Sequence, residues 1–306
     1  MYLKDFFKRF TSKSNIPVAI YMVLNVFIIA VIISYVFSGG YTPLWKACLY
    51  AIALYAVSLA VALSPVGEMI LRLQTGCRKI RDEKQRDFIE PIFNEVYAKA
   101  RTIDPSIPGD VQIYINDDEE PNAFATGRKT VCITKGMLNM PVNQIKATLA
   151  HEFGHLAHKD TDLILLVSVG NLIVSAFIIA IRLLIDFVHI VLGLCTLFLG
   201  GPDGVVASIA NALYHVAISL AVTGLTWLWT KIGVFLVMKS SRDKEYEADE
   251  FSFNLGYGDA LCELLNSIGG TKSKGLFANL SSSHPDNKKR IARLQSLKAS
   301  VCSQSF

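Results

Sequence analysis

Four apolar runs divide this chain, and each is long enough to cross a lipid bilayer. The first spans Ile16 to Phe37. As a helix of about 22 residues it would measure about 33 Å, against a hydrocarbon core of about 30 Å. The second runs from Leu44 to about Val66. Lys46 near its start can reach the interface along its own stem. The third and fourth, Leu163 to Leu199 and Val205 to Met238, read as two long helices. The breaker Gly200-Gly201-Pro202-Asp203-Gly204 between them makes the pair a hairpin. Composition agrees: of 306 residues 52% are hydrophobic and only 18% charged, too little charge to cover a water-soluble surface. A cleaved signal peptide competes for the first run, with Ser38-Gly39-Gly40 as a weak cleavage site. Its apolar part would be shorter, about 7–15 residues.

The net charge is only +4, so its distribution says more than its size. Basic residues crowd the beginning (Lys4, Lys8, Arg9, Lys13) and the stretch from Arg72 to Arg86. Such clusters beside apolar runs mark the cytoplasmic side. The 38–43 loop then lies outside, 67–162 inside, 200–204 outside and 240 onward inside. Both polar regions fall on one face and can form one domain. The Arg78–Arg86 cluster lacks a recognition motif or an aromatic stripe, so nucleic acid is not expected as a partner. The six cysteines form no CxxC pair and read as free thiols in a reducing compartment.

The expected organisation is therefore 1–66, a basic segment and two transmembrane helices; 67–162, the first part of a soluble-type domain; 163–238, a transmembrane hairpin; and 239–306, the second part of that domain. Within it, Glu68 to Ala100 reads as helical with a break near Glu90-Pro91, where Pro91 suits a first helical turn. Val111–Ile115, Ala123–Thr126 and Thr130–Thr134 read as strands, the last two joined by Gly127-Arg128-Lys129. Asn143 to Lys159 reads as a helix capped by Asn143.

That helix carries His151-Glu152-Phe153-Gly154-His155, the pattern H-E-x-x-H. Residues four apart share a helical face, so both imidazoles can bind one zinc ion. Glu152 is displaced around the helix and can face a water molecule beside the metal as general base. A third ligand is needed. His158 lies on the same stripe, and three collinear groups on one helix cannot converge tetrahedrally. Position 161 is Thr, so a histidine of the metzincin type is missing. Glu245 and Asp249 are four apart in Ser241-Arg242-Asp243-Lys244-Glu245-Tyr246-Glu247-Ala248-Asp249. Glu245 can ligate while Asp249 orients a histidine from behind. Glu247 and Glu250 read as exposed charge.

His151–His155, a membrane hairpin and then Ser-Arg-x-x-Glu-Tyr-x-Ala-Asp resemble the HtpX-like membrane metalloproteases. These are relatives of the CAAX prenyl endopeptidases within the gluzincin group. Pro121-Asn122-Ala123-Phe124-Ala125-Thr126-Gly127 and Ser283-His284-Pro285 with Arg290-Ile291 resemble two further family segments, so the likeness covers nearly the whole chain. It implies one Zn2+ per chain held by His151, His155 and Glu245, with Glu152 as base and Asp249 in support. It implies that Asn122, Ala123, Phe124 and Ala125 form an edge strand binding an extended substrate. His284 would lie near the metal and stabilise the oxyanion; the serines at 281–283 alter the loop before it. The fold expected is four transmembrane helices with a cytoplasmic α+β zincin-like metalloprotease domain. The setting expected is a bacterial inner membrane with both termini cytoplasmic.

The function expected is a zinc endopeptidase cutting membrane or membrane-proximal proteins at the cytoplasmic face, in membrane-protein quality control and stress response. Its partners are protein or peptide substrates and the lipid bilayer. A CAAX-type maturation peptidase is an alternative, disfavoured because four spans are few for an enclosed chamber. A non-catalytic zinc scaffold would not need Glu152. A zinc transporter would need more than Asp186, His189 and His215 in its spans. Within the spans, Arg182 and Asp186 read as a structural i,i+4 pair. Asn211 and His215 read as hydrogen-bonding across the hairpin.

Overall fold

The computed structural model describes residues 16–38, 40–199, 201–239, 242–267 and 287–304. Helix α1 (Ile16–Val31) widens into a π-helical stretch over Ile32–Phe37. Helix α2 (Leu44–Ala62) packs on it through Ala30, Ala47 and Ala51, all fully buried. Small residues let apolar helices approach closely, where dispersion contacts take over from the hydrophobic effect. The second apolar run was expected to reach Val66, but α2 ends at Ala62. Ser64 starts a new helix, α3 (Pro65–Gln74): its side chain accepts from Val66 N–H, and Pro65 supplies a preset φ.

Helices α4 (Glu83–Ile103), α5 (Val142–Ala157), α6 (Asp160–Leu199) and α7 (Gly201–Lys239) follow, then α8 (Arg242–Asn254), α9 (Gly258–Ser267) and α10 (Asn287–Gln304). At 40 and 39 residues, α6 and α7 are each about 60 Å long. The expected breaker at 200–204 is narrower than anticipated, because α7 already starts at Gly201. Pro202 falls in its first turn, where a missing N–H costs nothing. Among the described residues, Leu44–Ala62 and Gly204–Gly233 are long and apolar enough to cross a membrane, and Ala19–Ser34 is a shorter apolar helix.

Polar side chains stitch these helices together. Asn25 Nδ2 donates to Asn171 Oδ1 (2.6 Å), Asn171 Nδ2 to Tyr21 Oη (2.5 Å), and Tyr21 Oη to the Trp229 carbonyl (3.0 Å). Trp229 Nε1 closes the ring by donating to Asn25 Oδ1 at 3.2 Å. Further along the hairpin, Ser219 bridges the expected pair: Arg182 Nε donates to Ser219 Oγ (3.1 Å), which donates to Asp186 Oδ2 (3.0 Å). The cross-hairpin histidine contact differs from expectation. His215 Nδ1 lies 3.7 Å from Asp186 Oδ1 and its ring meets that of His189 at a 30° tilt with centroids 4.2 Å apart, while Asn211 is exposed.

In the polar region, strands β1 (Gln112–Asn116), β2 (Ala123–Thr126) and β3 (Thr130–Thr134) form a sheet in the order β1-β3-β2. The β1 pairing is parallel and the β2 pairing antiparallel, so β2 is an edge. Helix α4 is continuous through Pro91, contrary to the expected break. The proline costs one bond to the Asp87 carbonyl, on the solvent face. Meanwhile Ile89, Ile92, Phe93, Val96 and Ala100 hold the buried face. The interruption falls at 75–82 instead, where Arg78 exchanges backbone hydrogen bonds with Ile115. Pro141, not Asn143, occupies the position before α5, with no side-chain cap.

Helix α5 lies at the centre. One face packs with α4 and β3 through Phe93, Val131, Ile133, Leu149 and Phe153. Its other side carries Ala147, which joins Leu261, Leu264 and Leu294 from α9 and α10. Every residue from Ala147 to Ala157 is buried. A helix enclosed in this way can hold polar side chains only where they have partners.

Candidate active site

The polar groups on α5 meet partners from α8. His151, Glu152 and His155 are all buried, and so is Glu245 one turn into α8. His151 Nε2 stands 3.4 Å from one Glu245 oxygen, and His155 Nε2 stands 3.4 Å from the other. One ligand atom from each of the three lies within 4.8 Å of the others. Donors held at about 2.0–2.1 Å from a tetrahedral zinc stand about 3.3–3.4 Å apart. The observed spacing therefore suits one shared ion, and two imidazoles with a carboxylate form a set that zinc accepts. The rings cross at 89° with centroids 4.9 Å apart, so both nitrogens aim at one point without stacking.

Close packing creates this convergence. A Cβ built on Gly154 would lie 2.8 Å from the Ala248 Cα, so α5 and α8 cross almost backbone to backbone. Ser252 Oγ adds a buried bond to the Ala147 carbonyl at 3.0 Å. Gly154→Ala is expected to push the helices apart, costing about 1–3 kcal/mol and weakening metal retention. A thermal melt and metal analysis of the purified variant check this; unchanged values in both would refute the packing argument.

Asp249 lies one turn beyond Glu245 and accepts from His151 Nδ1 at 2.9 Å. That bond keeps the proton on Nδ1 and leaves the Nε2 lone pair facing the site. Arg290 from α10 grips the same carboxylate with two bonds, Nε to Oδ2 at 2.8 Å and Nη2 to Oδ1 at 2.5 Å. Burial alone would raise the Asp249 pKa, but Arg290 and His151 bring it down to about 2. The carboxylate is thus charged at neutral pH. Arg290 Nη1 also lies 3.8 Å from Glu245 Oε2. In sequence Arg290 stands out only as a cation beside the apolar Ile291 and Leu294, and no role follows from that spacing.

Glu152 points toward the sheet. Its Oε2 accepts the Ala125 N–H at 2.6 Å. Phe124 is paired with Cys132, so by strand alternation the amides of Ala123 and Ala125 face away from β3, along the open edge. The edge strand and Glu152 are therefore in direct contact through that amide. Of the other residues singled out, Asn122 precedes β2, with its N–H on Thr134 Oγ1 at 2.9 Å. His158 stands apart from the ligand group, 3.8 Å from the exposed Glu247. His284 lies outside the described residues.

The model of Peptidase family M48 matches residues 84–298 of this chain, a stretch that contains both helices of the site. The chain belongs to peptidase family M48. Among its relatives, a protein named Protease HtpX homolog from Campylobacter hominis is 32% identical over 210 residues, 62% of this chain and 70% of that protein. Homologues of the same name from Bifidobacterium longum and Ralstonia pickettii are 28% identical over 252 residues and 27% over 215. They are covered to 74% and 67% of their lengths, across 72% and 61% of this one. The protein is an HtpX-like metalloprotease, a hydrolase of peptide bonds.

In this M48 protein the edge strand is also tied to the apolar helices, by a residue the sequence reading passed over. Glu68 of α3 is 6% exposed, and its Oε1 accepts the Arg128 N–H at 3.0 Å. Arg128 sits in the β2–β3 turn, where Gly127 takes φ +65 and leaves room for the Glu68 side chain. Arg128 Nη1 reaches back to the Leu63 carbonyl at 3.3 Å, at the end of α2. Only a carboxylate buried just after an apolar helix hinted at this in sequence.

Proposed function

We propose that the protein is a zinc endopeptidase embedded in the bacterial inner membrane, cutting membrane or membrane-proximal proteins at the cytoplasmic face in quality control. His151, His155 and Glu245 hold the ion, and Glu152 is the general base. The observation that carries this reading is the pair of 3.4 Å separations between the Glu245 oxygens and the two imidazole nitrogens. Zinc bound there would acidify a water molecule and polarise the substrate carbonyl.

The chain's own residues do the rest. The outward amide of Ala125 and the outward groups of Ala123 offer main-chain bonds to an extended substrate. Such a substrate competes for the N–H that Glu152 now occupies and so frees the carboxylate beside the scissile bond. Glu152 takes a proton from the attacking water and passes it to the leaving nitrogen. Asp249 and Arg290 hold the His151 ring in place throughout. His284 stabilises the oxyanion on this reading, from a segment that follows α9.

The four apolar runs support a four-span topology in which 67–162 and 239–306 share the cytoplasmic side. The connection from α2 through Glu68 to the β2–β3 turn keeps the cleft at a set height above the spans. That favours cleavage close to the bilayer over capture of distant soluble chains.

The test is metal analysis of the detergent-purified protein beside a cleavage assay on casein and on a membrane-anchored substrate. One zinc per chain is expected. Chelation should abolish cleavage of both substrates, and added zinc should restore it. Full activity in metal-free protein would refute the mechanism.

A further inference from the structure

The amide ring that ties α1 to the long hairpin borders a cavity that the peptidase reaction does not use. It measures about 340 Å³ and lies between α1, α6 and α7. Asn25 of α1 and Asn171 of α6 stand in its wall, only 5% and 3% exposed. An asparagine amide has two N–H donors. The ring takes one from each: Asn25 donates to Asn171 Oδ1, and Asn171 donates to Tyr21 Oη. The second N–H of each amide has no partner in the ring. Buried donors of this kind are costly until an acceptor reaches them.

The wall changes character along the helices. A Cβ built on Gly233 would fall within 2.5 Å of the Tyr21 ring, while Asn25 meets Trp229, so α1 and α7 run antiparallel. From Asn25, the cavity follows Ile28, Ile29 and Ile32 along α1 for about 10 Å. Leu225 lies on the same side, one turn before Trp229 on α7. The hydroxyls on the α7 wall are turned into their own helix: Thr230 donates to the Thr226 carbonyl and Thr226 to the Thr223 carbonyl, both at 2.9 Å. Polar capacity is thus concentrated at the amides, with Ser175 one turn further along α6.

The amide end is also the end nearer a membrane boundary. Trp227 is exposed on α7, and Lys231 Nζ stands 5.5 Å over its ring. Tryptophan and a snorkelling lysine collect at the level of lipid headgroups. Helix α7 ends at Lys239, about 15 Å beyond Trp229, and α8 with Glu245 follows. The hydrogen-bonding end therefore faces the leaflet next to the active site, and the isoleucine end faces the middle of the bilayer.

Size and charge narrow the occupant. One turn of a helix with its side chains fills roughly 400–600 Å³, more than the whole cavity. Water leaves an apolar wall of this kind dry. Among the described residues, none that lines the cavity is charged, so a free carboxylate or ammonium would be buried without a counter-ion. A neutral ester carbonyl followed by an alkyl chain matches both ends. We propose that the cavity is a binding site for one diacyl phospholipid of the leaflet next to the active site. One acyl chain lies along Ile28, Ile29, Ile32 and Leu225, and its ester carbonyl accepts from Asn25 and Asn171. The headgroup and second chain stay in the bilayer. The bound lipid fills the gap between α1 and the hairpin and so stabilises the folded chain. The site rests on reading α1, α6 and α7 as membrane spans, not on the zinc chemistry.

The experiment uses the full zinc-loaded chain, purified from bacterial membranes and exchanged into lipid-free detergent. Native mass spectrometry should find one phospholipid retained per chain. After delipidation, added phosphatidylglycerol should raise the melting temperature by roughly 5 °C. Ser175→Phe fills the cavity and leaves both amides in place; it should keep its zinc and its cleavage and lose the lipid and the shift. Position is read from Trp229. With Trp45→Phe and Trp227→Phe it is the only tryptophan left, and phosphatidylglycerol with brominated acyl chains should quench its fluorescence. No retained phospholipid and no quenching overturns the site. Equal quenching with and without Ser175→Phe also overturns it, because the lipid then lies around the helices instead of between them. Quenching by brominated oleate but not by the phospholipid overturns the ester assignment. None of these failures touches the metal content or the cleavage that test the peptidase reading.

Discussion

Glu152→Gln is expected to lower peptide cleavage by about 10²–10⁴-fold while the purified protein keeps its metal. The amide has nearly the same shape as the carboxylate and can still accept the Ala125 N–H that Glu152 takes at 2.6 Å. What it cannot do is take up a proton. The split between activity and metal content is therefore the informative measurement. A variant that cleaves at the normal rate would remove Glu152 from the role of base. One that loses metal as well would make Glu152 part of the ligand set or of its packing.

Glu245→Ala is expected to fail differently, losing both metal and activity. Its carboxylate faces both imidazole nitrogens, and removing it leaves two ligands from one helix turn. Two imidazoles on one helix cannot enclose a tetrahedral ion. Asp249→Asn makes an instructive comparison. It keeps an oxygen for His151 Nδ1 but no longer matches the charge of Arg290. Metal affinity should fall by about 10–100-fold, an intermediate effect that excess zinc reverses in part. Titration with a competing chelator measures both variants. If Glu245→Ala binds zinc as tightly as the parent, the third ligand is elsewhere.

The two outcomes separate roles that a simple activity assay would merge. Both variants look inactive at ordinary zinc, one from a missing base and one from a missing ion. The Gly154→Ala variant adds a third case, in which every functional side chain remains but the helix crossing does not.

Much of the candidate site was legible before any coordinates. The period of an α-helix alone places His151 and His155 on one face and Glu152 beside them. The same period placed Glu245 and Asp249 on one face of a later helix. Strand alternation and turn chemistry marked Ala123–Thr126 and Thr130–Thr134, which are β2 and β3. Where local rules failed, neighbouring residues outweighed them. Pro91 sits inside α4 because a buried stripe from Ile89 to Ala100 holds the helix across it. Asn143 does not cap α5 because Pro141 already sets the entry.

Other features depend on distance in space, which sequence spacing does not encode. Nothing in the chain announces that Arg290 grips Asp249 from 41 positions away, or that Glu68 anchors the turn beside the edge strand. Nor does it show that Cys77 and Cys132 fall in one buried cluster with Tyr114. The near contact of Gly154 with Ala248 belongs to the same class, since a helix crossing is a property of two surfaces.

By itself, the sequence determined the chemistry this protein carries: apolar runs of bilayer length, and imidazole and carboxylate groups at helical spacing. Those follow from bond geometry and solvation, which act over a few residues. Only the tertiary structure decided which groups meet. The α5–α8 crossing brings a carboxylate to two imidazoles some ninety positions away, because a glycine and an alanine leave room for two backbones to touch.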